Sequence, residues 1–448
     1  MRAERSAGRR HAARHVDANR SAWTAEGPVA APCPPLRGPR VADVAIVGGG
    51  FTGVSTAWHL RQRFPDLGVV LLEAATLANG ASGRNGGQAL NWINGVHTDD
   101  PARLRRIHAA TAAGITIAET LAAAHAPGAF RRRGCLEVFT DARRAEAAHA
   151  RAERLAAIGI PARFVAADAL GMRGVRGALL DPLAGRLDGW ALLQGMRPAL
   201  LAGGVEVYER TPVVRIEPGK PVRVLAAAGE VRAHALVLAT GAWTPALGFF
   251  RRGILPLHSH VLATAPLPEE AWARIGWGEW DGFSDDLDRI AYACRTPGGR
   301  LVFGGGGNPA YAYRLGGTPA VAPDEGGRAW PFMEGVLHRY FPGLAGVPTA
   351  HRWTGALDLT LDRVCSMGTV APHANVYYAL GYSGHGVALA LLAGRVLSDL
   401  YAGEQDPWQG LPFLHKRLLP LPPEPLRWLG YHAWTRLSGR SPRRPPVS

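Results

Sequence analysis

The chain has 448 residues, of which 47% are hydrophobic and 19% charged, which is too long for one ordinary domain and too apolar for wholesale disorder. Its 56 glycines and 35 prolines follow no three-residue period, excluding a collagen-like fibre. The net charge of +14 gathers at the ends, with +4 in residues 1–20 and +5 in residues 406–448. A basic stripe on a folded face is therefore not expected, and neither is a nucleic-acid partner.

Residues 1–40, rich in Arg, Ala and Pro, are expected to form a disordered basic tail. They lack the apolar run of a secretory signal. Order begins with Asp43–Val47, a short β-branched run typical of a buried parallel strand. It stops at Gly48-Gly49-Gly50. Val54, Ala57, Leu60 and Phe64 then recur at helical spacing, and Val69–Leu72 is a second buried strand ending on Glu73. Helices are expected near 101–126 and 142–158, and strands at 134–140, 205–214, 222–225 and 235–239. The span 254–310 mixes strands with glycine turns. Val376–Leu380 is a further strand, and a glycine turn leads from it into a helix from Val387 to Tyr401. The last 43 residues form a Pro-rich basic extension. The long uncharged stretch Val376–Gly394 is broken by glycines at its centre, so no spanning helix is expected. Four scattered cysteines without a CxxC fit neither a disulfide framework nor a zinc site. The expected location is cytoplasmic.

Chemistry first shows in Gly48-Gly49-Gly50-Phe51-Thr52-Gly53, a GxGxxG between strand and helix. Gly48 permits the tight turn, Gly50 admits a pyrophosphate and Gly53 lets the helix pack on its strand. The helix N-terminus favours the phosphate charge. Glu73, at the end of the next strand, is placed for ribose hydroxyls. These features call for FAD or NAD. The loop Asn79–Gln88 (NGASGRNGGQ) has no place in a plain NAD domain, and Tyr378–Val387 (YALGYSGHGV) sets a second glycine turn before a helix. The N-terminus of that helix suits negative charge on a reduced isoalloxazine.

With Ala239–Thr244 (ATGAWT), these segments resemble the D-amino-acid oxidase/glycine oxidase/sarcosine oxidase superfamily of FAD enzymes, and most closely its gamma-glutamylputrescine oxidase-like branch. The resemblance runs from about Ser21 to Tyr401. It implies an α/β fold (α+β overall). A doubly wound Rossmann-like FAD-binding domain, from 41–98, 185–248 and 351–405, would be interleaved with a mostly antiparallel substrate domain from 99–184 and 249–350. It also implies that Glu73 holds the adenosine ribose and that Ser82, Arg84, Asn85, Gly86, Gly87 and Gln88 wrap the pyrophosphate and flavin. Val213 would lie on the adenine side, Thr240, Gly241 and Trp243 beside the cofactor, and Gly381, Ser383, Gly384, His385, Gly386 and Val387 along the isoalloxazine.

Monomeric sarcosine oxidases tether flavin through a cysteine before the last strand. The matching stretch here, His351–Gly355, has none, so the FAD is expected to be noncovalent. The implied reaction is hydride transfer from the carbon beside an amine or amino-acid nitrogen to flavin, giving an imine, with O2 as acceptor and H2O2 as product. A flavin dehydrogenase or tailoring enzyme of the same family, or an RNA-modifying FAD protein, is the alternative. His258, His260, Trp353 and Asp358 are the expected substrate-side residues. His258 and His260 alternate onto one strand face, but no third ligand is spaced to join them, so no metal site is expected. Asp358 could instead pair with Arg363, and Arg352 would suit a substrate carboxylate.

Overall fold

The computed structural model describes residues 20–321 and 326–438. The mixed α/β architecture expected from the sequence is present. Five parallel strands, Glu206–Tyr208, Val69–Leu72, Gly38–Val47, Gly229–Leu238 and His373–Leu380, stand side by side in that order. Ser366–Val370 closes one edge antiparallel. In Gly38–Val47, Val44 and Ile46 face one core, while Ala45 and Val47 face another. Both faces are buried, which is why the strand reads as a continuous apolar run.

The first core is capped by four helices, Phe51–Arg63, Pro101–His125, Gly189–Ala202 and Gly386–Tyr401. Asp100 and Asp188 accept hydrogen bonds from first-turn N–H groups and fix where two of them start. The other core packs the sheet against the antiparallel meander Val213–Glu217, Val222–Ala226 and Gly229–Leu238. Pro101–His125 has the length and composition of a membrane span, but its inner face, with Ile107, Ile115 and Leu121, is buried in the first core. This helix, expected in the substrate domain, therefore packs with the parallel sheet.

The second sheet has nine strands and is antiparallel except where Gly282–Asp285 runs parallel to Cys135–Phe139. Its long edge pair is Leu255–Thr264 with Thr349–Leu359. By sheet membership the chain thus stays in this unit to Leu359, beyond the expected break at 351.

The expected tail over 1–40 needs correction for the part described; residues 1–19 lie outside the described residues. Ser21 caps the short helix Ala22–Glu26 and donates to the Gly83 carbonyl at 2.5 Å. Trp23 is 3% exposed, and Cys33 and Leu36 are buried with backbone N–H bonds to Glu209 and Thr211. One large aromatic and several paired N–H groups hold a segment whose composition alone signals disorder. The C-terminal extension also packs: Trp408, Leu411 and Phe413 join the first core.

Candidate cofactor and active site

Gly48 ends the first parallel strand with φ 112°, and a Cβ there would overlap the Ala239 carbonyl on the neighbouring strand. A Cβ on Gly53 would overlap the Gly48 carbonyl, so helix and turn touch through backbone. Gly50 caps helix Phe51–Arg63 in extended conformation without a side-chain cap, which leaves its N-terminal end suited to an anion. The Phe51 N–H donates to Ser82 Oγ at 2.9 Å. Glu73 accepts from the N–H groups of Gly49 at 2.7 Å and Ala75 at 2.9 Å. Burial pushes its carboxyl above the ordinary glutamate range, and those N–H bonds oppose the shift. Thr240 closes on Thr244 at 2.8 Å where the next strand meets this turn, and Gly241 and Trp243 follow in the short helix Gly241–Leu247. Val213 is half-buried at the start of the meander.

The loop after the second strand is held from three sides. Arg84 is buried. Its Nε–H donates to the Asn79 carbonyl at 2.8 Å, and its own carbonyl accepts from the Trp353 indole at 2.8 Å. Asn85 accepts from the Gly87 N–H at 2.8 Å and donates to Ser82 O at 2.7 Å, while its carbonyl accepts from Trp23 Nε1 at 2.8 Å. Gly86 lies against the Tyr292 ring with no room for a Cβ. Gln88 donates to the carbonyls of Phe283 at 2.8 Å and Ala293 at 3.1 Å. Its Oε1 is buried without a hydrogen-bond partner among the described residues. A buried acceptor of this kind takes a donor from a bound group or an ordered water.

The second glycine turn precedes helix Gly386–Tyr401, which His385 caps and in which Val387 is buried. Gly381, Ser383 and Gly384 have φ of 79°, 51° and 89°. The Ser383 hydroxyl donates to Gly381 O at 3.0 Å and accepts from the Thr360 N–H at 3.2 Å. The Gly381 N–H donates to Asp358 Oδ2 at 2.6 Å. Burial pushes Asp358 up to about 6. Between the ordinary aspartate value, about 3.9, and about 6, the folded chain holds a proton that the unfolded chain releases. Stability therefore falls as pH rises through that window. Asp358→Asn is expected to remove this share of the slope and keep the acceptor for Gly381, while Asp181 and Asp286, also raised to about 6, keep theirs. Asp358→Ala strands the Gly381 N–H at a cost of about 1–3 kcal/mol. Denaturant midpoints at pH 4, 5, 6 and 7 check both.

The substrate-side expectations need correction. Strand Leu255–Thr264 alternates, and it is Ser259 and Val261 that lie on the side of the Asn79–Gln88 loop, level with Gly355 and Trp353 of the paired strand. His258 and His260 point the other way. His258 is 3.0 Å from the Thr318 carbonyl, and His260 is 2.7 Å from Thr354 Oγ1 and edge-on to Trp330. Among the described residues no three metal-ligating side chains converge. Trp353 is fully buried and supports the loop from beneath. Asp358 braces the second turn, and Arg363 pairs with Asp288 instead. Arg352 pairs with Glu334 near the surface.

The polar residues missed beside the Asn79–Gln88 loop are Ser259 and Tyr292; the Tyr292 ring lies across Gly304 and against Gly86. Burial pushes the Tyr292 phenol up to about 12. The one signal for them in the sequence is that Ser259 sits between the two histidines and so faces away from both.

The sequence matches the family model described as FAD dependent oxidoreductase over residues 43–400. It is 32% identical to gamma-glutamylputrescine oxidoreductase of Escherichia coli (strain K12) over 386 residues, covering 81% of this chain and 84% of that protein. The crystal structure of glycine oxidase from Geobacillus kaustophilus superposes with a TM-score of 0.70 at 21% identity, over 85% of this chain and 100% of that one. That of L-proline dehydrogenase from P. horikoshii gives 0.67 at 19%, over 82% and 95%. The two solved structures share the fold. The cradle of Gly48 and Gly53, the unpartnered Gln88 Oε1 and the two glycine turns fit a bound dinucleotide, and with the match over residues 43–400 they place this chain in the DAO family of FAD-dependent oxidoreductases.

Proposed function

We propose that the chain oxidises the carbon–nitrogen bond of an amine or amino acid to an imine, which water then hydrolyses, with noncovalent FAD as cofactor and O2 as final acceptor, giving H2O2. The observation that carries this reading is Tyr292, a neutral phenol that lies across Gly304 on an apolar sheet face, directly against Gly86 of the RNGGQ loop. FAD, when bound, supplies the acceptor for the hydride that leaves the carbon beside nitrogen.

Glu73, the turn at Gly48–Gly53 and the loop Ser82–Gln88 would hold the adenosine, pyrophosphate and flavin portions, and the turn at Gly381–Gly386 would face the isoalloxazine. The remaining tasks fall to side chains that bind, orient and keep water out. Tyr292 stays protonated at neutral pH because burial disfavours its phenolate, so it offers an amine a hydrogen bond without a charge. Val261, Val302, Cys294 and Trp353 are buried around it and make the face dry. The similarity to gamma-glutamylputrescine oxidoreductase supports an amine as the substrate class. The four cysteines are free and buried, which suits a reducing compartment such as the cytoplasm.

The test is anaerobic bleaching of the flavin absorbance by a panel of amines and amino acids, followed by air. One class is expected to bleach the flavin, with colour returning quickly and one H2O2 formed per turnover. Tyr292→Phe should slow bleaching about tenfold, the loss of about 1.4 kcal/mol of hydrogen bonding, at unchanged flavin content. Slow return of colour would move the assignment to a dehydrogenase. No bleaching by any amine would sink the proposal.

A further inference from the structure

The helix Leu426–Leu437 is apolar on its outer side as well as its inner one. Its inward side is fixed to the second unit. Tyr431 packs on Tyr313 with ring centroids 5.5 Å apart, Trp428 joins the cluster of Leu255, Leu257 and Leu421, and Asn308 donates to the Thr435 carbonyl at 2.7 Å. The Arg289 guanidinium lies 4.1 Å from the Trp434 ring centroid and holds that side chain at the rim. The outward side carries Leu426, Leu429, Ala433 and Leu437, an i, i+3, i+7, i+11 stripe. Leu426 is 60% exposed, Leu429 52%, Leu437 88% and Trp434 47%. A surface helix that packs aromatic rings inward and still carries leucines outward exposes apolar area that the usual arrangement keeps from water.

The charge around the stripe identifies what covers it. From Leu426 to Ser448 the sequence has five arginines and no acidic residue, and of these Arg427 is turned inward onto the Pro422 and Arg251 carbonyls beside Glu424. Arg436 sits on the outward side among the leucines, and Arg440, Arg443 and Arg444 follow in the sequence. A second copy of the chain would bring like charges face to face, and a nucleic acid would have no use for leucines. A bilayer with anionic headgroups satisfies both features. Leucines enter at the headgroup–acyl boundary, the indole lies at that level and arginines meet phosphates.

We infer that the outward face of Leu426–Leu437 docks this protein on the surface of an anionic membrane, lying in the interface rather than spanning it. The docking is independent of the substrate and is read without turnover. The flavin-loaded full chain is sedimented with vesicles of phosphatidylcholine alone and with vesicles that also contain phosphatidylglycerol.

The protein is expected in the pellet only with phosphatidylglycerol and is expected to leave it as salt rises. Leu429→Glu and Leu437→Glu each remove an exposed leucine without touching the packed side. Each is expected to weaken binding at least about tenfold, the scale of one leucine's burial, with flavin absorbance and melting temperature unchanged. Arg436→Glu should weaken binding to phosphatidylglycerol vesicles and make its remaining loss with salt shallower. The inference is overturned if the full chain stays in the supernatant with phosphatidylglycerol. It is also overturned if both leucine variants bind like the parent, or if they convert a dimer to a monomer without changing vesicle binding.

Discussion

Alanine at Gly48 is expected to yield a folded protein that purifies colourless. The residue has φ 112°, where a side chain adds strain of about 1–3 kcal/mol, and its Cβ would overlap the Ala239 carbonyl of the adjacent parallel strand. Backbone on both sides cannot rotate out of the way as a side chain can. The strand end and the start of helix Phe51–Arg63 must then part, and the N–H groups that suit a pyrophosphate lose their alignment. Affinity for FAD should fall at least about 100-fold, equivalent to about 2.7 kcal/mol. The check is the flavin-to-protein absorbance ratio, followed by FAD titration of stripped protein and circular dichroism to confirm the fold. Gly80→Ala is the control. That glycine lies near the same loop, but a Cβ on it meets nothing within 4 Å and its backbone is not in the left-handed region, so its colour should be that of the parent. A Gly48→Ala protein with a full complement of flavin would mean that the cofactor does not depend on this turn.

Trp353→Ala is expected to produce the largest loss of stability. The side chain is fully buried in the first core although its strand belongs to the second sheet, so it joins the two units. Removing a buried tryptophan costs about 3–5 kcal/mol in lost burial and residual cavity. Trp353→Phe separates packing from hydrogen bonding. It keeps most of the apolar volume but removes the N–H that bonds the Arg84 carbonyl at 2.8 Å. That variant should lose about 1–3 kcal/mol and weaken FAD binding through the loosened loop. Urea midpoints measured with and without added FAD distinguish the two effects. A Trp353→Phe protein with parental stability and flavin affinity would remove Trp353 as the support of the loop.

What was legible in the sequence was local. Asp43–Val47 and Val69–Leu72 are apolar runs because both faces of the parallel sheet are buried, and the glycines that follow them mark backbone that must turn or touch. Such signals need only the neighbouring few residues. The direction of a side chain from the second sheet was not legible. Alternation says that His258 and His260 share a face, but not which face looks at the Asn79–Gln88 loop. That is decided by Trp353 and Gly355 on a strand almost 100 residues later. Tyr292 was missed for a similar reason: its role depends on lying against Gly86, some 200 residues earlier in the chain. Residues 20–40 looked disordered because composition registers Pro and Arg but not the single indole that docks beneath the loop.

Trp23 meets the carbonyl of Asn85 near one end of the chain, and Thr52 and Tyr382 share a hydrogen bond across 330 residues near the other. The cradle is therefore closed by segments far apart in the chain. A chain folded only as far as Gln88 contains the loop but not the turn at Gly381–Gly386, so cofactor capture waits for the contacts of longest sequence separation. Closure over such separations is slow, and the time the polypeptide spends with its parallel strands made but unmatched sets its exposure to aggregation. Supplying riboflavin during expression, rather than FAD after purification, should accordingly decide how much of the protein is recovered in soluble form.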